Sequence, residues 1–339
     1  MKRNRTRRLK SLMMAAAMVS GACAPTSAAE MTKLSVVLGY IPNVEMYGLE
    51  YALNEGYYKA EGLDVKLIAA GQGVNQVQMV AAGVVQIGID NPEGILAATA
   101  KNESFKVFAG QFQKQPIAMT CRKDSGVTKP ADLKGKTVGV KTNAEPYFRL
   151  FLVKNGLQTS DVTTTAIGPN DISVLIAGRI ACEITTFAFN EPRLIEAAGV
   201  PVTVLPLGDY GLNAQADSYF VKSSYFDKPE NQAILVKFLK ATGQGWTSFY
   251  KDPKAAAKYV IDKNFVDGLD IDQQTFQAEQ QVKYMSSKLT AEKGILWLDP
   301  AVWVQTAENV KASGVTPEVV PTADMLTTAI LEKADLPKF

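Results

Sequence analysis

Short apolar strands alternate with amphipathic helices from residue 33 onward, and this alternation constrains the fold more than any other feature of the sequence. In the first repeat, a strand at 34–40 leads into a helix on which Met46, Leu49 and Leu53 share one face. Repeats of this kind build largely parallel sheets whose faces are covered by helices. The sequence therefore predicts an α/β fold.

The predicted strands fall into two groups, which are separated near residue 116 and again near residue 218. Strands are predicted at 34–40, 63–69, 85–89, 105–111, 117–122, 137–140, 162–167, 183–189, 202–205 and 219–221. From residue 230 onward the pattern is almost entirely helical, with helices near 253–263, 273–288, 301–312 and 322–334. We therefore predict two lobes joined by extended segments: residues 30–116 with 219–339 as lobe 1, and residues 117–218 as lobe 2. A cleft between domains is the usual place for a small ligand.

Residues 1–29 are predicted to be an export signal. Six basic residues lie in the first ten positions, an apolar run follows at 12–19, and small residues lead to a cleavage site after Ala29. General secretory export, twin-arginine export and lipid attachment at Cys23 stay open as alternatives. Without this segment the chain holds 30 basic and 34 acidic residues, with no basic cluster that would indicate nucleic-acid binding. We therefore predict a periplasmic protein.

The chain contains no histidine, which removes many classes of enzyme. Ser-His-Asp and Cys-His catalysis, histidine metal sites and imidazole acid–base chemistry are all excluded. Three cysteines are too few for a structural zinc site, which needs four ligands. We therefore expect no catalytic residue, no metal and no cofactor. In an oxidising compartment Cys121 and Cys182 either form a disulfide or remain buried thiols, because both lie in predicted apolar strands.

Several short motifs occur together along the chain. They are GYIPN at 39–43, EGYYKAEGLDV at 55–65, QIGI at 86–89, ADLKGKTVGV at 131–140, FNE at 189–191 and DYG at 209–211. In this order and spacing they resemble the periplasmic substrate-binding proteins of the nitrate/taurine/sulfonate ABC importer group. The first, fifth and sixth motifs are most similar to the branch that binds the pyrimidine precursors of thiamine.

This resemblance implies a two-lobed type II periplasmic binding protein fold with a hinge and a ligand cleft between the lobes. Such a protein performs no chemistry. It captures a small molecule by shifting the population towards a closed state, and delivers it to an ABC permease and its ATPase. The expected partners are therefore a small-molecule ligand and the permease complex. We expect a monomer that reaches the membrane only through the permease and does not bind nucleic acid.

Candidate ligand-binding residues follow predicted strands or open predicted helices. In lobe 1 they are Tyr40, Asn43, Gly73, Asn75, Asp90 and Asn91, and in lobe 2 they are Thr142, Asn143, Phe189, Asn190 and Glu191. Tyr40 and Phe189 are suited to stack on a flat ring, and Glu191 to accept hydrogen bonds from a ring amino group. Structural alternatives exist for the same residues, because asparagine, threonine and glutamate also cap helices and turns. Glu45 is expected on a solvated helix face, with a position facing the cleft as the alternative.

We predict that the ligand is a small aromatic heterocycle, namely a thiamine pyrimidine precursor such as hydroxymethylpyrimidine or formylaminopyrimidine. A flavin is one alternative, because stacking aromatics serve it equally well. A small oxyanion such as a sulfonate, taurine or nitrate is another, although Arg149 is the only arginine near the candidate positions. An enzyme similar to the pyrimidine-precursor synthases is the alternative of another class. Those relatives use histidine and a cysteine-rich motif, and this chain has neither.

Overall fold

The computed structural model describes residues 31–71, 74–141, 144–168 and 171–339. Its ten strands are β1 (Thr32–Val37), β2 (Leu63–Ile68), β3 (Ile87–Asp90), β4 (Phe105–Gly110), β5 (Ile117–Arg122), β6 (Thr137–Lys141), β7 (Thr163–Ile167), β8 (Cys182–Phe187), β9 (Val202–Pro206) and β10 (Ser218–Lys222). They form two five-stranded mixed sheets, in the order β2-β1-β3-β10-β4 for the first sheet and β7-β6-β8-β5-β9 for the second. The predicted α/β class is confirmed.

The helices are α1 (Tyr47–Asn54), α2 (Tyr57–Ala60), α3 (Gln76–Ala81), α4 (Pro92–Thr99), α5 (Glu145–Lys154), α6 (Ser173–Ile176), α7 (Glu191–Ala197), α8 (Ser223–Phe226), α9 (Pro229–Lys251), α10 (Pro253–Asp262), α11 (Ile271–Met285), α12 (Lys288–Lys293), α13 (Pro300–Ala312) and α14 (Ala329–Ala334). None of the helices in the described residues is long and apolar enough to cross a membrane.

The pairing of the strands determines where their ends meet. In the first sheet β1 runs parallel to β2 and β3, and β10 runs antiparallel to β3 and β4. In the second sheet β6 runs parallel to β7 and β8, and β5 runs antiparallel to β8 and β9. The first sheet is built from strands before residue 116 and from β10, which begins at the second predicted boundary, and the second sheet is built from the strands between the two boundaries. The extent of the two lobes stays a prediction.

The long helix α9 packs directly on α1, and glycine makes this contact possible. A Cβ atom at Gly245 would lie 2.0 Å from the carbonyl oxygen of Gly48, and one at Gly48 would lie 2.3 Å from the Trp246 ring. Only hydrogen fits at either position, so the two helix backbones approach closely. The helical tail is thereby fixed to the core of the first sheet, where Trp246 and Phe249 are fully buried.

The second sheet is cross-linked and locally irregular. Cys121 of β5 pairs with Cys182 of β8 in a disulfide, which decides between the two alternatives left open by the sequence. Farther along the same strand pair, the register shifts between Ala118 and Met119, and Thr185 is the extra residue. Thr185 has a φ of 68°. The bulge therefore holds a β-branched residue in the left-handed region, which such residues rarely adopt.

The helix predicted at 322–334 is wrong over most of its length, because only α14 is helical. The segment before α14 instead pairs with β4: the Val107 N–H donates to the Met325 carbonyl at 2.8 Å, and the Thr327 N–H donates to the Val107 carbonyl at 3.0 Å. Beyond β4 there is no further strand in the described sheet. The apolar residues of this segment therefore cover part of an exposed sheet edge.

Candidate functional site

Two adjoining cavities lie where β1 and β3 of the first sheet and β6 and β8 of the second sheet end. In open α/β sheets, ligands bind outside the carboxyl ends of the strands. The cavities have volumes of about 470 Å³ and about 140 Å³, and share Lys141 and Thr185. Together they form the cleft. The larger part is lined by Asp90, Asn91, Glu93, Gly94, Gln115, Ile117, Lys141, Ala144, Tyr147 and Thr185, and the smaller by Tyr40, Glu45, Lys141, Thr185, Phe187, Asn190 and Glu191.

The cleft contains five of the residues predicted for the site. Asp90 and Asn91 line the larger part, at the end of β3, and Tyr40, Asn190 and Glu191 line the smaller part. These residues come from both sheets of the protein. A ligand in the cleft would therefore contact both, as a closure mechanism requires.

Two other predicted residues cap helical turns. Asn43 Oδ1 accepts a hydrogen bond from the Glu45 N–H at 2.8 Å, and Asn75 Oδ1 accepts one from the Gln78 N–H at 2.8 Å. Each satisfies a backbone N–H that the first turn of a helix leaves free. Three further predicted residues lie outside the described residues, so their assignment stays a prediction: Gly73, Thr142 and Asn143.

The phenylalanine that lines the smaller cavity together with Tyr40 is Phe187, whereas Phe189 was predicted. Phe189 is only 1% exposed and packs against Phe112 and Tyr284, with ring centroids 6.0 Å and 5.2 Å away. The physical reason is that β8 ends at Phe187, two residues earlier than predicted, and a turn redirects the chain. Phe187 lines the cavity.

Glu45 lies in the cleft, although a solvated helix face was expected for it. The residue is 3% exposed and shares a hydrogen bond with Asp217. Burial raises the pKa of Glu45 well above its usual range, and the charges of Asp217 and Glu191 raise it further. Burial and the nearby Asp90 raise the pKa of Asp217 to about 7. The pair therefore holds a proton near neutral pH and offers both a donor and an acceptor.

The larger part of the cleft contains two more buried acids. Burial raises the pKa of Asp90 to about 7, although its Oδ1 accepts a hydrogen bond from the Asn91 N–H at 2.7 Å. Burial also raises the pKa of Glu93, whose carboxylate accepts a hydrogen bond from the Tyr147 hydroxyl. Burial, and then the charges of Glu191 and Glu45, raise the pKa of Tyr40 to about 12. Its hydroxyl is thus a permanent donor.

Lys141, at the end of β6, is the one basic side chain that lines either cavity among the described residues. Its Nζ lies 3.2 Å from Glu183 Oε1 and 3.2 Å from Glu191 Oε1, and donates to the Thr185 carbonyl at 3.1 Å. Burial raises the pKa of Glu183 to about 7, and the neighbouring lysine opposes this shift. The sequence reasoning did not predict any charged partner for Glu191.

The left-handed backbone of Thr185 belongs to this same group. A conformation of this type costs about 1–3 kcal/mol and persists where the surrounding structure requires it. Here the bulge brings the Thr185 carbonyl to the Lys141 ammonium and the residue itself to the wall of both cavities. The strain is thus located at the cleft.

Side chains bridge the cleft at two places. On one side the Tyr147 hydroxyl of α5 donates to Glu93 of α4. On the other, Gln273 Nε2 of α11 donates to Asn190 Oδ1 at 3.0 Å, and the Arg193 guanidinium lies 4.7 Å from the centre of the Phe276 ring. Helices α4 and α11 thus contact α5 and the start of α7 across the cleft.

Replacement of Tyr147 by phenylalanine should remove one bridge. A hydrogen bond to a charged group contributes about 1.5–3 kcal/mol, and here its loss leaves the buried Glu93 carboxylate without that donor. We expect Tyr147→Phe to lower the free energy of unfolding by about 2 kcal/mol in urea titrations. Tyr210→Phe is the matched control, because no hydrogen bond from its hydroxyl occurs within the described residues. Equal losses in the two variants would contradict the bridge.

Among the residues that sequence reasoning missed are Lys141, Phe187, Glu183 and Asp217. A signal existed for two of them: Lys141 ends a predicted strand region beside the predicted Thr142, and Glu183 is a charge in an otherwise apolar strand. Phe187 and Asp217 reach the cleft because of the position of the bulge and the tertiary packing, respectively. Neither of these causes leaves a pattern in the local sequence. Among the described residues, no group of three or more side chains is placed to hold a metal ion.

A family of sequences described as NMT1/THI5 like matches residues 43–256. The riboflavin-binding protein RibY of Chloroflexus aurantiacus is 25% identical over 309 residues, which are 88% of this chain and 86% of that protein. The formylaminopyrimidine-binding protein of Halalkalibacterium halodurans is 21% identical over 263 residues, which are 77% of each chain.

Among solved structures, the alkanesulfonate-binding protein SsuA from Xanthomonas axonopodis pv. citri, bound to MOPS, superposes with a TM-score of 0.66. The match covers 88% of this chain and 99% of that one at 16% identity. At this identity the similarity is one of fold. The predicted type II periplasmic binding protein fold is confirmed.

Proposed function

The chain belongs to the NMT1/THI5-like family, and we propose that it is an exported solute-binding receptor of an ABC importer. The receptor captures a small, flat heterocycle with N–H donors and delivers it to a membrane permease, without chemistry of its own. The best candidates are the thiamine pyrimidine precursors, hydroxymethylpyrimidine and formylaminopyrimidine. The formylaminopyrimidine-binding relative and the resemblance in the Tyr40 and Glu191 motifs support this choice.

The observation that carries the proposal is the composition of the cleft. Tyr40 and Phe187 supply aromatic faces in the smaller cavity, and the carboxyl groups around them are hydrogen-bond acceptors. An aminopyrimidine presents a flat ring with amino N–H donors at its edge. Glu191 and the Glu45–Asp217 pair can accept such donors, and the Tyr40 hydroxyl can donate to a ring nitrogen.

The same composition argues against a sulfonate, taurine or nitrate. Six buried or partly buried acids surround the cleft, namely Glu45, Asp90, Glu93, Glu183, Glu191 and Asp217. A single lysine, Lys141, lines it, and this lysine is already paired with Glu183 and Glu191. Two like charges 4 Å apart repel by roughly 4 kcal/mol at an effective dielectric constant of 20. An anion in the cleft would meet that repulsion from each of these acids that is ionised.

A flavin is the second candidate, because the larger part of the cleft exceeds what a single pyrimidine ring fills. A volume of about 470 Å³ falls in the range of pockets for larger organic ligands. A tricyclic ring would extend from the aromatic pair into this space, with acids accepting hydrogen bonds from its hydroxyl groups. The similarity to the riboflavin-binding relative supports this candidate.

We further propose that the protein is exported to the periplasm after removal of residues 1–29, which lie outside the described residues. The Cys121–Cys182 disulfide supports this location, since disulfides persist in oxidising compartments and are rare in the cytoplasm. The first strand, β1, begins at Thr32, close to the predicted cleavage after Ala29. The two lobes proposed above would close around the ligand.

A thermal-shift panel tests the receptor function. We expect aminopyrimidines or flavins to raise the unfolding temperature, because a ligand at 100 times its dissociation constant adds roughly 2.7 kcal/mol of stability. For a chain of this size that corresponds to roughly 4 °C. Taurine, alkanesulfonates and nitrate should give no shift at the same concentrations. A shift with these anions alone would overturn the proposed ligand class.

A further inference from the structure

The ammonium group of Lys141 is held by oxygen atoms of the protein itself. An ammonium group has three donors. Three oxygen atoms surround this one: Glu183 Oε1 and Glu191 Oε1 at 3.2 Å each, and the Thr185 carbonyl at 3.1 Å. The residue is only 7% exposed, although it lines both cavities. Two of the three donors make hydrogen bonds, to Glu191 and to the Thr185 carbonyl, and the contact with Glu183 is a charge contact.

Glu183 stands out among these partners. It is fully buried, and neither of its carboxylate oxygens accepts a hydrogen bond within the described residues. It forms an ion pair with Lys141, with 3.2 Å between Glu183 Oε1 and Lys141 Nζ. A buried carboxylate without hydrogen bonds is costly to maintain, and an uncharged side chain of similar size would fill the same space. What the charge contributes is the neutralisation of Lys141.

We propose that Glu183 is a specificity-determining residue, which together with Glu191 neutralises Lys141 and so closes the cleft to anionic solutes. The inference rests on the proposed receptor function and defines its substrate class more narrowly, as neutral or cationic. Lys141 is then a positioning residue. It holds Glu191 and the Thr185 carbonyl as acceptors at the cavity wall and is not itself an anion ligand.

The arrangement predicts a specific gain of binding. If both carboxylates become carboxamides, the side chains keep their shape but the charge on Lys141 is no longer balanced. The ammonium group, which lines both cavities, then becomes available to an anion. The receptor should thereby acquire affinity for a small sulfonate.

The test compares methanesulfonate binding to the wild-type protein and to Glu183→Gln/Glu191→Gln by isothermal titration calorimetry at pH 8, above the pKa of about 7 to which burial raises Glu183. We expect the double variant to bind at least about tenfold more tightly, which corresponds to about 1.4 kcal/mol. Adding Lys141→Met should abolish the gain. The matched control is Glu196→Gln/Glu230→Gln, which makes the same change in net charge at two exposed positions and should not bind more tightly.

Each result distinguishes the two claims. Equal affinities in the double variant and the exposed control, or a gain that survives Lys141→Met, would overturn the specificity inference. If the double variant does not fold, Glu191→Gln alone serves, with a smaller gain that Lys141→Met must again remove. The heterocycle panel on the wild-type protein tests the receptor function separately. A wild-type protein that binds no heterocycle, with the sulfonate gain intact, would disprove the function and leave the inference standing.

Discussion

Removal of the Cys121–Cys182 disulfide should destabilise the protein by about 4 kcal/mol, since the two cysteines are 61 residues apart and the loss of stability grows with the length of the closed loop. We expect Cys121→Ala/Cys182→Ala to lower the unfolding temperature by roughly 6 °C for a chain of this size. Both cysteines are fully buried on adjacent strands, so no surface contact is altered. Calorimetry on the purified variant measures the change.

The wild-type protein in reducing agent is the control for this experiment, because it keeps both side chains and loses only the bond. It should approach the stability of the double variant. Thiol titration of the denatured, unreduced protein should detect neither Cys121 nor Cys182. Two reactive thiols at these positions, or a variant as stable as the wild type, would show that the cross-link is absent.

The disulfide also bears on the cleft. It joins β5 to β8 at Cys182, in the same strand as Thr185 and Phe187. Because the bulge lies between the disulfide and the end of β8, loss of the covalent bond removes one restraint on its register. The Cys121→Ala/Cys182→Ala variant should therefore also bind the ligand less tightly, under conditions in which the protein is still fully folded.

Most of the fold was predictable because the periodicity of apolar side chains reports burial directly. The strand at 117–122 was predicted with the bounds that the structure shows, and α9 was placed within one residue of its start. The segment at 322–334 was predicted wrongly as one helix, because its first part covers the edge of β4. That contact is with a strand more than 200 residues away. Helical spacing in a short segment does not distinguish the two cases.

The site was predictable only where a strand end coincides with the cleft. That rule found Tyr40, Asp90 and Asn91, and it missed Lys141 because the predicted strand ended one residue early. Phe187 was missed for another reason. A bulge shifts which residues face the cleft, and nothing in the local sequence marks where the extra residue is inserted.

The free energy of unfolding should fall by several kcal/mol between pH 5 and pH 8. Burial raises the pKa of Asp90, Glu183 and Asp217 to about 7, and raises that of Glu45 well above its usual range. A carboxyl whose pKa is higher in the folded state contributes stability below its unfolded pKa of about 4 and loses it as the pH rises through about 7. One independent group with this shift accounts for about 4 kcal/mol over the whole range and for about 2.6 kcal/mol between pH 5 and pH 8. The coupled set changes stability by less than the sum, since its members share protons.

Urea titrations from pH 5 to pH 8 measure this dependence, and Asp217→Asn should flatten it by removing one of the coupled groups. A stability that rises with pH over this range would contradict the assignment.

The chain has no histidine, so apart from the terminal amino group no group with an ordinary pKa titrates between pH 5 and pH 8. Proton uptake on folding near neutral pH therefore reports the carboxyls with raised pKa values, which are those of the cleft together with Glu50 of α1, whose pKa burial raises to about 7. A bound ligand whose N–H groups donate to these carboxylates should stabilise their charged form and weaken the pH dependence, whereas an anion should strengthen it. The pH profile with and without ligand thus measures the charge preference of the site independently of the identity of the ligand.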